Sequence, residues 1–406
     1  MKISKCKIVA LFILLIIHLH QSVSGQSEKI TLKDSSKFQQ KDIIDVLQKL
    51  FNKQLRKDSS TLKGDGPFIS IIPAIGYSIH TGFTGNIAAN TTFYTDDERK
   101  RISRIMMDGN YSQFHQYWFT AISDIFLEKH KLHVFGDIRY YRFPTQTYGL
   151  GPNSSSSNPL KIDYSYLRFY QIVFREMASN LFLGMGYDLD YHWNIKADSV
   201  KGRELDQFVK YQNGTHSISA GISLNIMYDN RKNIVNPYNG TFANLQFRPN
   251  ITFLGSDKNW QSLLIDIRHY IKVPASSHNI LALRSYNDIT LSGTLPYLDM
   301  PSIGWDDYSS TGRGYVPGRY TGRNLIYFES EYRFSLTRNG FLGGVIFGNA
   351  ESIAGRISDV IYSVIPAGGF GLRIKLNKYS NTNLCIDYGF GVRGSRGIFF
   401  NMGEVF

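Results

Sequence analysis

Polar and apolar positions alternate without interruption along residues 325–334. One face of this stretch carries two carboxylates and a guanidinium, and its members are Leu325, Tyr327, Glu329, Glu331 and Arg333. The other face is largely aromatic and consists of Ile326, Phe328, Ser330, Tyr332 and Phe334. A period of two predicts a β-strand. In a soluble sandwich the aromatic face would point into the core. In a membrane barrel it would face the lipid, and the charged face would line the lumen.

The same alternation recurs along most of the chain and predicts sixteen strands. Asp137 and Arg139, for example, flank Ile138. The predicted strands span residues 68–78, 82–95, 101–112, 115–126, 131–142, 162–175, 181–193, 215–229, 240–252, 259–272, 279–292, 323–336, 340–350, 363–376, 381–391 and 397–406. Sixteen strands make a poor single core for a soluble sandwich, whereas a closed barrel pairs every backbone donor and leaves no edge. We therefore predict an all-β fold, a sixteen-stranded antiparallel transmembrane β-barrel over residues 67–406.

The connections between the predicted strands fall into two sets. Long connections at 143–161, 194–214 and 293–322 lie on one side, and mostly short turns lie on the other. Long loops outside and short turns inside are typical of bacterial outer-membrane barrels. Because the number of strands is even, both ends of the barrel are predicted to lie on the periplasmic side.

The segment before the barrel has a different character. Lys2, Lys5 and Lys7 precede an apolar run over 8–17, which predicts a secretory signal peptide over residues 1–25. The run is shorter than the ~20 apolar residues of a membrane span, with an uncleaved anchor as the alternative. Residues 26–66 are lysine-rich, and apolar residues at helical spacing within 41–57 predict a short amphipathic helix. We interpret 26–66 as a periplasmic tether or plug; a partner-binding helix is the alternative.

Composition changes this picture little. Aromatic residues make up 14% of the chain and charged residues 19%, and the mean hydropathy of −0.22 fits a barrel that shows lipid only every second residue. Cys6 lies in the predicted signal peptide, so Cys385 has no partner for an internal disulfide.

Basic residues form no stripe, so we expect no nucleic acid partner. No histidine of the predicted barrel has a serine two residues on, the pair used by lipase barrels, and we expect no enzyme, metal or cofactor.

Four stretches resemble the BamA/TamA superfamily of outer-membrane assembly barrels, the bacterial surface antigens. Arg313–Gly314–Tyr315 lies where the family has a loop motif, although Gly312 replaces its aliphatic residue. Residues 228–242, YDNRKNIVNPYNGTF, are similar to a turn of the family. Residues 368–376 with 384–391 are similar to its last hairpin, and the terminal IFFNMGEVF to its last strand. The family's assembly factors carry periplasmic POTRA domains, for which the residues ahead of this barrel leave no room.

The resemblance implies roles for residues of the long loop. In the family this loop folds into the lumen, and its arginine bonds acidic groups of the wall. Arg313 is therefore expected to pair with Glu329 or Glu331, with a solvent-exposed loop arginine as the alternative. Arg373 and Asp387 are expected to be further lumen charges of the last hairpin. Because Asn349 replaces an expected acid, we also expect Arg313 to have fewer charged partners than is usual in the family.

Two further sets of residues are singled out near the periplasmic side. Asp229, Arg231, Pro237 and Gly240 are interpreted as turn-forming residues. In the terminal strand, Phe400, Met402 and Phe406 are expected to share a face. Phe400, Gly403 and Phe406 are further expected to act as the assembly signal of the barrel.

The sequence therefore favours an integral protein of the bacterial outer membrane that takes part in outer-membrane protein or lipid assembly or translocation. Outer-membrane lipids, and assembly subunits or lipoproteins, are the expected partners. The alternative from another class is a passive pore or a structural surface barrel. A lipid-modifying enzyme is disfavoured, because the histidine pattern does not supply its chemistry.

Overall fold

A computed structural model describes residues 40–51, 67–78, 82–95, 101–127, 131–154, 156, 159–198, 202–212, 214–306 and 310–406. The predicted signal peptide and most of the predicted tether lie outside the described residues. All described residues belong to one compact unit, Gln40–Phe406. It contains two α-helices, α1 (Ile43–Phe51) and α2 (Arg203–Tyr211). Neither of these has the length and apolar character that a membrane-crossing helix needs.

Seventeen strands form one antiparallel sheet. They are β1 Phe68–Ser78, β2 Gly82–Phe93, β3 Ser103–Ser112, β4 Tyr117–Leu127, β5 Leu132–Arg142, β6 Thr145–Thr147, β7 Leu160–Ala178, β8 Leu181–Ala197, β9 His216–Asp229, β10 Gly240–Asn250, β11 Trp260–Lys272, β12 Ile280–Gly293, β13 Asn324–Ser335, β14 Leu342–Ala354, β15 Val364–Asn377, β16 Thr382–Gly391 and β17 Arg396–Met402. Each long strand pairs with the next one along the chain.

The three-residue strand β6 is a continuation of β5. Both strands pair with β7, β5 with its inner part and β6 with residues 160–162. Pro144 lies between them and has no backbone N–H to donate to the ladder, which explains the interruption. The sheet therefore has sixteen strand positions, and the sixteen-stranded antiparallel barrel predicted from the alternation is confirmed.

The two faces of each strand are separated as the alternation predicts. On β13, Glu329 and Glu331 are fully buried, whereas Phe328 is 49% exposed. On neighbouring strands, Ile346 and Phe370 are each 59% exposed. Charged side chains thus lie inside the barrel and large apolar ones outside, an arrangement that water would penalise and lipid favours. This distribution excludes the soluble sandwich.

The two ends of the barrel differ, and we name them by their connections. The loop end is the end at which β12 ends and β13 begins, and the turn end is the end at which β13 ends and β14 begins. Helix α1 lies at the turn end, where the Lys378 ammonium is 2.8 Å from a carboxylate oxygen of Asp45. Asp42 and Asp45 each accept the backbone N–H of the other, which forms a capping box at the start of α1.

The last strand is shorter than predicted. β17 ends at Met402, so the prediction of a strand through 406 is wrong. Gly403 has a left-handed φ of 89°, which a glycine adopts without strain, and the chain turns there into the lumen. Phe400 is 61% exposed on the outer face, whereas Phe406 is 3% exposed and packs with Tyr270 and Ile280. The predicted shared face of Phe400 and Phe406 is therefore wrong as well.

Candidate functional site

The long loop between β12 and β13 lies inside the barrel at its loop end. Its residues Ile303, Tyr315 and Tyr320 are almost fully buried and pack against wall residues of β12–β15. Gly314 has a φ of 115°, and a Cβ there would lie 2.8 Å from the Cβ of Ala367. A glycine is required at this position because the loop backbone approaches the wall so closely.

Arg313 projects from this loop into a pocket of three carboxylates. Its Nε lies 3.0 Å from Oε1 of Glu329, and its Nη1 lies 2.5 Å from Oδ2 of Asp387. Its Nη2 donates to both Glu329 and Glu331. The guanidinium carbon also lies 3.8 Å from the centre of the Phe347 ring. Charge-assisted hydrogen bonds and a cation–π contact therefore hold one fully buried cation.

The electrostatics of this pocket keep Arg313 charged. Burial alone would lower the pKa of its guanidinium, but Glu329, Glu331 and Asp387 hold that pKa well above the ordinary value. Asp387 on β16 supplies a third carboxylate beside the two that the sequence points to. Asn349 does not face the guanidinium and instead donates its side-chain N–H to the Arg313 carbonyl oxygen at 2.9 Å.

Tyr315 fixes the neighbouring part of the loop. Its hydroxyl donates to the Pro366 carbonyl oxygen at 2.6 Å and accepts the Val392 N–H at 2.9 Å. The Gly314 carbonyl oxygen accepts a hydrogen bond from the Ser395 hydroxyl at 2.8 Å. All three residues of the predicted loop motif thus contact β13–β17 or the connections between these strands.

The carboxylates around Arg313 belong to a longer network that reaches the C-terminus. Arg373 lies 2.5 Å from Asp387 and 2.9 Å from Glu404. Arg333 lies 2.5 Å from Glu331 and donates to the Phe406 carbonyl oxygen at 3.0 Å. The sequence pointed to Arg373 and Asp387 as lumen charges, but it did not reveal Glu404, because that residue was assigned to a membrane-spanning strand.

The predicted turn residues lie at the turn end, between β9 and β10. Arg231 makes a bidentate salt bridge with Asp229, in which Nε and Nη2 each lie 2.9 Å from one carboxylate oxygen. The Pro237 carbonyl oxygen accepts a hydrogen bond from Arg333 at 3.3 Å. Gly240 has a φ of 108°, and a Cβ there would lie 2.7 Å from the Asn230 carbonyl oxygen.

The β9–β10 connection also contacts distant parts of the chain. Asn236 donates to the Asn381 carbonyl oxygen at 3.2 Å, and Asn233 donates to that of Ser380 at 3.3 Å, both between β15 and β16. The Val235 carbonyl oxygen accepts the Glu404 N–H at 2.9 Å. The β9–β10 connection therefore reaches strands far away in the ladder and meets the C-terminal residues.

A second cation–carboxylate cluster holds the long loop to β12, the strand that pairs with β13 in the wall. Asp306 of the loop accepts hydrogen bonds from the backbone N–H groups of Ser310 and Thr311 at 2.9 and 2.8 Å. Its carboxylate also lies 3.3 Å from Arg284 of β12. Burial alone would raise the pKa of Asp306, but Arg284 and these hydrogen bonds hold that pKa below its ordinary value.

Within the described ranges, no group of three or more His, Cys, Asp or Glu side chains is placed to hold a metal ion. Cys385 is buried on β16, where its sulfur lies 3.0 Å from the Gly403 carbonyl oxygen. It fills space beside the turn into the C-terminal residues.

The fold and the buried loop define a membrane β-barrel with an internal arginine-bearing loop. Residues 143–398 match the Omp85 superfamily domain, which is more than half of the chain. The chain belongs to the Omp85 superfamily and is an outer-membrane protein. No curated protein sequence matches it.

Solved structures show the same fold at low sequence identity. BamA from Haemophilus ducreyi lacking POTRA domains 1–3 is 14% identical with a TM-score of 0.51, over 82% of this chain and 70% of that one. CdiB from Acinetobacter baumannii is 13% identical with a TM-score of 0.51, over 83% and 59% of the two chains. CdiB from Escherichia coli is 12% identical with a TM-score of 0.50, over 84% and 68%. At such identities the likeness concerns the fold alone.

Proposed function

We propose that this chain takes part in the assembly or translocation of proteins or lipids at the bacterial outer membrane and catalyses no covalent reaction. The supporting observation is the burial of Arg313 among Glu329, Glu331 and Asp387. It reproduces the loop-to-wall contact that the resemblance to assembly barrels implies. Membership of the Omp85 superfamily adds support.

In this proposal the turn end faces the periplasm. β1 begins at the turn end and β17 ends there. The chain would therefore enter and leave the barrel on the periplasmic side, from which it is delivered. The exposed apolar residues of the strands would contact outer-membrane lipids. Helix α1 and the β9–β10 connection then present the surface that assembly subunits or lipoproteins would meet.

Depletion of the protein in its own bacterium tests the proposal. The expected result is a fall in the outer-membrane levels of other β-barrel proteins or of lipids, restored by the wild-type chain but not by Arg313→Ala. Arg356→Ala is the matched control, because Arg356 is exposed between β14 and β15. Unchanged levels of every outer-membrane protein and lipid after depletion would contradict the proposal.

A passive pore is the second candidate, and one observation favours it. The lumen contains two cavities of about 160 and 150 Å³, towards the loop end and the turn end. Both are lined by Arg168, Tyr170, Arg248, Tyr286 and Trp305, so these side chains separate them. Conductance of the purified protein in a planar bilayer, increased by Trp305→Ala, would support a pore; an electrically silent Trp305→Ala variant would oppose it.

A further inference from the structure

The cavity near the loop end is built as a binding chamber rather than as a gap in packing. It lies between the long loop and strands β6–β8 and β10–β13 and has a volume of about 160 Å³. Aromatic side chains from both the wall and the loop form its sides, among them Tyr164, Tyr166, Trp260, Tyr286, Tyr297 and Trp305. Concave sites with aromatic walls and a few polar groups are the usual form of small-molecule sites.

Several polar groups that line this cavity have no protein partner. Within the described part of the chain, neither the Tyr164 hydroxyl nor Nε2 of His192 takes part in a hydrogen bond, although each residue is only 3% exposed. The same holds for the Ser262 hydroxyl and the Trp305 indole N–H. Buried polar groups are nearly always satisfied, so the groups of Tyr164 and His192 must bond to water or to a ligand in the cavity. Ser262 and Trp305 are half-buried, and their groups are available to the same ligand.

The aromatic rings around these groups are held in fixed orientations. The His192 ring stacks on Tyr166 with centroids 4.4 Å apart and planes 12° apart, and Tyr164 lies against it at 5.6 Å. The Trp260 indole N–H donates to the Ser219 hydroxyl at 3.2 Å, which in turn donates to Asp299 at 2.5 Å. The rings therefore present rigid faces beside hydrogen-bonding groups.

Most of the charged side chains that line the cavity are paired within the protein. Asp190 accepts hydrogen bonds from Tyr166 and Tyr170 at 2.5 Å, and Arg248 lies 2.8 Å from the same carboxylate. Arg168 lies 3.5 Å from it. On the loop, Asp299 lies 3.5 Å from Nδ1 of His192 and carries the Ser219 hydrogen bond, while Asp306 is held by Arg284. Arg168, Arg248, Asp190 and Asp306 thus each have an oppositely charged partner in the described part of the chain, which weakens their attraction for an ionic ligand.

Apolar ring faces, unused hydroxyl, imidazole and indole groups, and neutralised charge together suit one class of molecule. A pyranose sugar has apolar C–H faces that pack on aromatic rings and hydroxyl groups that both donate and accept. The cavity is smaller than the ~300–1,000 Å³ of sites for drug-sized ligands, which limits the occupant to about one ring. We propose that this chamber binds a single uncharged pyranose unit, either a free sugar or the headgroup of a glycolipid.

Tryptophan fluorescence of the full-length protein tests the proposal. Trp260 and Trp305 line the cavity, whereas Trp118 and Trp193 do not. The protein is purified in a detergent without sugar groups and titrated with glucose, galactose, mannose and N-acetylglucosamine. A parallel titration uses vesicles that contain a glucosyl lipid. We expect a saturable fluorescence change with at least one of these ligands.

Variants locate the response in the cavity. Tyr164→Phe removes one hydroxyl with little change in packing and should raise the Kd about tenfold, the factor expected for one lost ligand hydrogen bond. Trp305→Phe should reduce the fluorescence change, and Trp118→Phe should leave it intact. Heat-modifiable mobility in gels confirms that each variant is folded, and saturation-transfer NMR measures binding without fluorescence.

The outcomes separate the alternatives. A response to free sugar identifies a soluble ligand, and a response confined to the glucosyl lipid identifies a headgroup; both support the site. The proposal is overturned if no ligand gives a saturable response, or if Tyr164→Phe binds as tightly as the wild type. Tighter binding of glucuronate or glucosamine than of glucose would overturn the assignment to an uncharged ring.

Discussion

Replacing Arg313 by alanine is the most direct perturbation of the buried loop contact. The change removes the cation shared by Glu329, Glu331 and Asp387. Asp387 retains Arg373 and Glu331 retains Arg333, each at 2.5 Å. Glu329 keeps only the Tyr327 hydroxyl at 2.7 Å among the described residues. The cost is therefore concentrated on Glu329, which becomes a buried carboxylate without a cation.

The expected loss of stability follows from the loss of the cation beside Glu329. Removing one member of a buried ion pair typically lowers the free energy of unfolding by about 3–5 kcal/mol. We expect Arg313→Ala to fall in this range, to loosen the long loop and to leave membrane insertion intact, because the strand ladder is unchanged. Glu331→Gln should also destabilise the protein. Each double variant with Arg313→Ala should cost less than the sum of its single changes, since both remove the same contact.

The assay combines unfolding and loop accessibility. The loss of the fast-migrating folded form in gels, followed with temperature and urea, gives the stability of each variant, and limited proteolysis reports on the loop. Glu351→Gln is a matched control. Glu351 is also a buried lumen glutamate, on the neighbouring strand β14, but neither carboxylate oxygen accepts a hydrogen bond within the described part of the chain. That control should not lower stability.

Two results would refute the reasoning. Strict additivity of Arg313→Ala with both Glu329→Gln and Glu331→Gln would mean that the residues do not share a contact. An Arg313→Ala protein with wild-type stability and wild-type protease resistance would mean that the buried guanidinium does not hold the loop.

Three further predictions concern other parts of the chain. Deleting Phe406 removes a side chain buried against Tyr270 and should lower the outer-membrane level of the protein through degradation before insertion; normal levels and normal heat-modifiable mobility would refute this. A chain that starts at Phe68 behind a signal peptide should still insert, because the ladder bonds lie between strands; failure to insert would show that the preceding residues assist assembly. Burial and the neighbouring Asp190 raise the pKa of Asp299 to about 8. Its contribution to stability is therefore complete below the unfolded pKa of about 3.9 and is lost as the pH rises through 8. Over that pH window, the free energy of unfolding should fall less in the Asp299→Asn protein than in the wild type. An equal fall in both proteins, measured by urea unfolding at several pH values, would contradict the raised pKa of Asp299.

Much of the barrel could be predicted because alternation is a local property. On β13, each charged residue flanks an aromatic or aliphatic one, and this pattern alone places Glu329 inside and Phe328 outside. The end of β17 could not be predicted in the same way. Strict alternation would place Glu404 on the outer face with Phe400. Its carboxylate reaches Arg373 in the lumen only because the chain turns at Gly403, and alternation does not encode that turn.

The residues around Arg313 show a second limit. Glu329 and Glu331 were predictable as partners because the resemblance points to the strand that follows the loop. Asp387 lies 74 positions from Arg313 and meets it only because curvature of the sheet brings β13 and β16 around one lumen. The sugar-sized cavity was missed for the same reason. Tyr164, His192 and Trp305 come from distant segments, and each alone reads as an ordinary strand or loop residue.

The arrangement of charges gives the lumen two distinct regions. From the loop motif to the C-terminus, Arg313, Asp387, Arg373 and Glu404 form a continuous chain in which every cation contacts at least two carboxylates. Loss of Arg313 there leaves Glu329 buried without a cation, so the loop contact does not tolerate gradual change. Around the cavity, by contrast, Arg168, Arg248 and Asp190 form a compact set of their own, and several of the other lining groups are neutral hydroxyl and indole groups. Substitution of a neutral group there leaves no buried ion behind, so the specificity of the chamber can change while the loop stays fixed to the wall.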